Sequence, residues 1–432
     1  MKTHLLTLAA LAALAGAVAA QSTPKVLFVR TGTLIYDTQQ PPMAHGDVVI
    51  TNGTITAVGP GLAPPAGARV LDLSQQTVMP SLLDAHTHLA TSLPGAGPGA
   101  VPSTALSALL GSQDVAYAQD SGVAAMRVLG SSGFIDVALG NAIDAGVIRG
   151  PHIIPAAHAI SIPGGHADFF TLPPSMPLQS YYTPLNGFIN STADAEQAVH
   201  LQVKYGAKVI KIMASGGVLS PLDLFTSEQL TPEEMRKIVE VAHGDHLKVA
   251  AHDENLKAIM DALHAGVDSI EHGSDLDQQA VDYMNAHHQV LDATLYVVDN
   301  ILQNGERMHM SPYSLLKAHQ LAAKHFASFQ LALRSGVRMA AGSDQAYAPG
   351  TGTIYNEAVS EVNHGASPQL VLTDATRHNA ALLGLPQLGT IAVGKEGDLV
   401  AMPGNPLDDI HALSHLTAIV YQGKIIRAPA NQ

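Results

Sequence analysis

The sequence predicts an α/β chain: a (β/α)8 TIM barrel with a small β-sandwich domain formed from both chain ends. Three observations lead there. The two ends share a strand-and-turn style. The long middle repeats a short apolar run followed by a helical stretch. The chain has 432 residues, 47% hydrophobic and 13% charged, which suits one large core plus an accessory one and is far from a disordered composition.

Residues 1–20 read as a signal peptide. Lys2 gives the positive start, "LLTLAALAALAGAVA" the apolar centre, and Val18 and Ala20 the small residues before a cut at Gln21. The protein is therefore expected to be exported, periplasmic or secreted. No later segment is long and apolar enough to span a bilayer, and no cysteine is present to carry a lipid. Residues 21–80 hold strand-like stretches such as "GDVVITNGTITAVGP", where Asn52-Gly53 between alternating apolar residues signals a hairpin. Residues 385–432 resume that style with "LTAIVYQGKII" and are expected to complete the same β domain.

Residues 81–384 carry the rhythm. Apolar runs occupy 78–88, 123–129, 152–160, 208–214, 248–252, 267–272, 289–295 and 337–344. Helical stretches such as "ADAEQAVHLQVKYGA" and "ENLKAIMDALHAG" lie between them, and Thr231-Pro232-Glu233-Glu234 reads as a cap, a first-turn proline and two acids. Eight strands alternating with helices argue for a barrel. A doubly wound open sheet has the same alternation, but no glycine-rich nucleotide fingerprint opens the first unit. One connection, from Ser161 to about Ser191, is long and aperiodic, and it would lie at the end of the third strand where barrel sites are built.

The composition narrows the chemistry. Lys+Arg number 22 against 36 Asp+Glu, a net charge of −14 without any basic run, so nucleic acid is not an expected partner. With no cysteine, a metal site must use His, Asp, Glu or Lys. Run one ends in His86-x-His88, whose spacing of two puts both on one side of a strand. Run four carries Lys211, run five ends in His252, run six in His272 and run eight in Asp344. Singly, a histidine at a strand end is more often a hydrogen-bonded residue than a ligand, and an aspartate there more often caps a helix. Lys211 is different: between Ile210 and Ile212, a free ammonium is costly. Deprotonation and addition of carbon dioxide would make it a carbamate, an anion able to bridge two cations.

This set, with "SIPGGHAD", "VIKIMASGGVLS", "AGVDSIEHGS", "ATRHNAALLG" and "GTIAVGKEGDLVAMPGNPLDDI", resembles the amidohydrolase superfamily over nearly everything after residue 25. The motifs are similar to those of its exported Xaa-Pro dipeptidase, ochratoxinase-type and imidazolonepropionase-like branches. The resemblance implies two divalent ions, with zinc favoured by a histidine-rich, thiol-free donor set that also accommodates Mn2+, Co2+ and Fe2+. His86, His88 and Asp344 would hold one ion and His252 and His272 the other, with N6-carboxylated Lys211 bridging them. It implies hydrolysis of the amide bond of dipeptides or N-acyl amino acids, ochratoxin-like aryl amides included, by a metal-bridging hydroxide. Asp344 would move the proton and His166 polarise the carbonyl. Cyclic-amide hydrolysis of the imidazolonepropionase or hydantoinase type is the alternative. Tyr181, Tyr182, Asn186, Arg127 and Glu254 are candidate substrate contacts. Arg127-Val128 and Glu254 depart from the family's usual Arg-Asp pair and aromatic or His, which puts a simple prolidase assignment in doubt. The expected partner is a small amide or dipeptide, and the chain is expected to form a homo-oligomer.

Overall fold

The computed structural model describes residues 24–89, 103–169, 180–348 and 351–429. The expected signal peptide, and residues 170–179 of the long connection, lie outside the described residues. Among the described residues no helix is long and apolar enough to cross a membrane.

Both chain ends enter one hydrogen-bonded sheet of eight strands. Its order is Lys424–Arg427, Ala418–Tyr421, Leu399–Met402, Arg69–Pro80, Val26–Leu34, Gly46–Thr51 and Thr54–Pro60, with Met43–Ala44 pairing off the side of Val26–Leu34. Asn52 (φ 50°) and Gly53 (φ 90°) make the expected hairpin turn, since both central residues of a two-residue turn of this hand need positive φ. Alternate residues, among them Leu27, Val29, Val48, Ile50, Leu71 and Leu73, bury one face with Leu399, Ala401 and Val420 from the far end of the chain. The expected β-sandwich is thus seen as a single paired sheet with its own core, and the pairing does not divide it into two layers.

The middle of the chain supplies eight parallel strands in two arcs. One arc holds Leu82–Thr87, Val123–Val128 and His152–Pro155. The other holds Val209–Met213, Lys248–Asp253, Ser269–His272, Val290–Asp292 and Met339–Ala340. Ladder pairing is not continuous around all eight. At each seam the arcs meet through isolated bridges, Thr87 with Gln345 and Ile160 with Ile212, and through bonds such as Ala85 N–H to Ala341 O and Ile160 N–H to Lys211 O. Several strands are shorter than their apolar runs. The seventh stops at Asp292 because Thr294 turns the chain (φ 48°) and a helix begins at Leu295.

The helices start and stop where the sequence signals them. Ser191 caps Thr192–Tyr205, and Gly206 (φ 110°) ends it. Thr231 and Glu234 form a capping box on Pro232–Gly244, with Pro232 in the first turn. Asn255 caps Leu256–Ala265, and Gly266 (φ 92°) closes it. The apolar faces of these helices, including Ala198, Val199, Ile238, Val239, Ile259 and Leu263, cover the parallel strands in one core.

Asn379 holds the first seam from inside. Its amide nitrogen donates to the carbonyls of Leu83 (2.8 Å) and Ala341 (2.7 Å), and its oxygen accepts from Ala341 N–H (3.2 Å). Asn379→Ala removes the three bonds, and Ala341 O keeps only the one from Ala85 N–H, so the variant should lower the unfolding free energy by about 2–4 kcal/mol, read from urea titrations.

Candidate metal centre

The C-terminal ends of the parallel strands bring the six expected ligand residues to one mouth. His86 Nε2 is 3.6 Å and His88 Nε2 3.1 Å from Asp344 Oδ1. The rings of His86 and His272 are 5.2 Å apart, and those of His252 and His272 4.6 Å. Lys211 lies at the same depth, close enough to act electrostatically on His86, His252, His272 and Asp344. Backbone geometry at two of these positions is strained: His272 (φ 68°) and Asp344 (φ 50°) occupy the left-handed region that favours glycine. Gly342 allows the strands to come this close, because a Cβ there would lie 2.5 Å from His86 Cβ and 2.3 Å from Asp292 Oδ2.

Each imidazole uses one nitrogen on an oxygen of the chain. His86 Nδ1 faces Glu271 Oε2 at 2.9 Å, and His88 Nδ1 lies 3.4 Å from Gly130 O. His252 Nε2 is 3.2 Å from Gly216 O, and His272 Nδ1 is 2.6 Å from Thr294 Oγ1. The other nitrogen of each ring is left for a ligand, the arrangement that fixes tautomer and ring direction in metal sites. Burial holds His86 down to about 4 and lowers His252 and His272 well below the ordinary range, so these rings are neutral and able to coordinate. Burial would raise Asp344, but His86, His88 and His272 outweigh it and keep the carboxylate ionised.

Lys211 Nζ is buried without a hydrogen-bond partner among the described residues, and burial lowers its pKa to about 8 against the pull of Glu271 and Asp344. An amine so placed gives up its proton readily and is available to carbon dioxide. His86, His88 and Asp344 each offer one donor atom within 4.8 Å of the others. A deeper trio of His86, Glu271 and Asp292 meets the same distance, but Arg127 engages its Glu271. The residues present therefore fit a divalent-ion centre at the mouth.

The other expected residues divide. His166 reaches the site: its ring stacks on that of His252, with centroids 4.0 Å apart and 18° between planes. Arg127 does not face a substrate. It is 2% exposed and donates to both carboxylate oxygens of Glu271 at 3.0 Å, to Ser269 Oγ and to Ala85 O, beneath the histidines. The physical reason is that an apolar strand carries it inward, where a guanidinium must be paired. Glu254 is likewise buried. It accepts from the Ser274 hydroxyl, its backbone N–H donates to Ser215 Oγ at 2.8 Å, and burial raises it to about 8, so it is mostly protonated near neutral pH. Tyr181 and Tyr182 pack with Phe188 in an aromatic cluster, with centroids 5.0–5.3 Å apart, and Asn186 donates to Tyr181 O. These contacts tie the three residues to one another and to Phe188.

Sequence reasoning missed Glu271, Asp292 and Thr294, which orient or surround the histidines. Glu271 and Asp292 carried a usable signal, since each is an acid inside an apolar strand.

Comparisons with known proteins fall on one group. The family model described as "Amidohydrolase family" matches residues 77–427. The ochratoxinase of Aspergillus niger is 34% identical over 304 residues, which is 67% of this chain. The chain spans 62% of the length of that relative. Among solved structures, a Xaa-Pro dipeptidase with methionine bound in its active site superposes with a TM-score of 0.86 at 29% identity, covering 94% of this chain and 100% of that one. The A. niger ochratoxinase structure gives 0.82 at 28% identity, covering 95% and 97%.

The position of Arg127 yields a test. Arg127→Met strands Glu271 and Asp292 in the interior and should destabilise the fold by about 3–5 kcal/mol in urea titrations. A substrate-binding arginine would instead raise KM with stability intact.

Proposed function

This chain belongs to the amidohydrolase family, and from that premise we propose that it is a metal-dependent hydrolase of the amide bond in dipeptides or N-acyl amino acids, ochratoxin-like aryl amides included. One observation carries the reading: four imidazoles, each with one nitrogen facing an oxygen of the chain, cluster with Asp344 around a buried Lys211 whose Nζ has no hydrogen-bond partner among the described residues. His86, His88 and Asp344 would hold one divalent ion, and His252 and His272 the other. Lys211, carboxylated on Nζ, would bridge them. Bound there, zinc or a related ion supplies a water of lowered pKa and a polarised carbonyl.

The chain's own groups handle the proton. Asp344 stays ionised at neutral pH, so it can accept a proton from the attacking water and return it to the leaving nitrogen. His166, stacked on His252 at the edge of the same cluster, would polarise the substrate carbonyl. Support for this substrate class comes from the two relatives: one is an ochratoxinase and the other a Xaa-Pro dipeptidase. We read the two strand arcs as one barrel spanning 81–384, flanked by a β domain from 21–80 and 385–432. Export after removal of residues 1–20, and assembly of several copies, belong to the same proposal.

Lys211→Ala and Asp344→Asn should each lower kcat by more than about 10³-fold, as expected when members of one catalytic unit are removed. Chelation should abolish the activity and Zn2+ restore it. The assay is a hydrolysis screen over dipeptides, N-acyl amino acids and cyclic amides. Near-normal turnover in either variant with metal bound would sink the mechanism, and opening of rings with dipeptides untouched would move the assignment to the cyclic-amide class.

A further inference from the structure

His166 does not hold its own position. Its backbone N–H donates to Gln229 Oε1 at 2.9 Å, and its Nδ1 lies 2.8 Å from Ser220 Oγ. Both partners converge on one carboxylate. Gln229 Nε2 donates to Asp223 Oδ2 at 2.8 Å, and the Ser220 hydroxyl donates to Asp223 Oδ1. Gly217 N–H adds a bond to Oδ2 at 3.2 Å. The loop 214–229 that follows the fourth strand is thereby drawn around Asp223, and His166 from the preceding connection is tied to it twice.

The hub is closed from a distant helix. Lys317, on the helix Pro312–Arg334, is 1% exposed, and its ammonium sits 3.6 Å from Asp223 Oδ1. All three of its donors are used on the same loop: Gly217 O at 2.5 Å, Ser220 O at 2.7 Å and Asp223 O at 3.2 Å. From the same helix, Tyr313 donates its hydroxyl to Asp223 O at 3.0 Å and places its ring 4.7 Å from the ammonium. A side chain that both neutralises the buried carboxylate and holds three carbonyls leaves the loop one conformation. Gly217 makes the fit tight, since a Cβ there would lie 2.3 Å from the His166 ring.

The chemistry of the chain also selects a tautomer. The Ser220 hydroxyl gives its proton to Asp223 Oδ1, so a Ser220 lone pair is what faces His166 Nδ1. His166 therefore donates from Nδ1 to Ser220 Oγ.

We propose that Lys317, acting through Asp223 and Ser220, is a positioning residue that fixes the ring direction and tautomer of His166. The proposal rests on the reading of His166 as a substrate-facing group.

The test uses the zinc-loaded enzyme and four variants. Lys317→Met and Ser220→Ala should lower kcat about 10- to 100-fold, the scale of an ångström-sized misplacement at a reacting centre. Lys317→Arg, which keeps the charge and its donors, should recover part of that loss. A nitrogen-15 spectrum of the imidazoles should show one ring as the Nδ1–H tautomer, identified by its absence in His166→Gln, and that signal should change in Ser220→Ala and Lys317→Met. Thermal melting shows which variants stay folded. Ser220→Ala, which removes a single oxygen, keeps the test decisive if Lys317→Met unfolds. Unchanged kcat and an unchanged His166 spectrum in folded Ser220→Ala would overturn the proposal, as would an Nε2–H tautomer in the wild type. Normal activity in His166→Gln would overturn the reading it rests on instead.

Discussion

One buried guanidinium organises the floor of this molecule. Arg127 comes from the second parallel strand and grips Glu271 on the sixth, Ser269 beside it and the carbonyl of Ala85 on the first, with Asp292 of the seventh 3.6 Å away. A planar fork of five donors can reach four such groups at once, and a lysine could not. Burial would raise Glu271, but Arg127 and His86 outweigh it and keep it ionised, and the ionised Glu271 faces Nδ1 of His86. That leaves Nε2 directed at Asp344. The order of the metal-binding candidates therefore depends on a side chain that touches none of the chemistry.

The same residue shows where sequence reading succeeds and where it stops. A charged side chain in an apolar strand flags a buried, functional position, and this signal picked out Lys211 between Ile210 and Ile212. Arg127, between Met126 and Val128, bears the identical mark, and the sequence alone offers it as a substrate contact. What separates the two is the partner, and the partner lies 144 residues away. Glu271 was overshadowed by its neighbour His272 in "SIEH", although both point to the same part of the fold.

The strand-end residues of the candidate centre are legible because chain order maps onto position around a parallel array, and a spacing of two maps onto one face. Caps and the Asn52-Gly53 turn were legible because they are local. Lys317 was not, for the opposite reason. It acts on backbone carbonyls 94–100 residues earlier, and carbonyls are the same in every residue, so no pattern in the sequence marks them as its targets. Roles in this site are thus split by visibility: side chains that would hold ions sit on strands or just past their ends, while His166 depends on a loop braced from far away.

The left-handed backbone at His272 and Asp344 has an evolutionary consequence. Each such conformation costs about 1–3 kcal/mol in a residue other than glycine. Substitution by glycine at either site relieves that cost, and natural chains sit only slightly above the stability they need. Against that relief stand the contacts each side chain makes, His272 with Thr294 and Asp344 with His88, and the cavity its removal would leave. A lineage that drifts at these two positions therefore trades backbone relief against lost packing, a balance the other four positions at the mouth do not face.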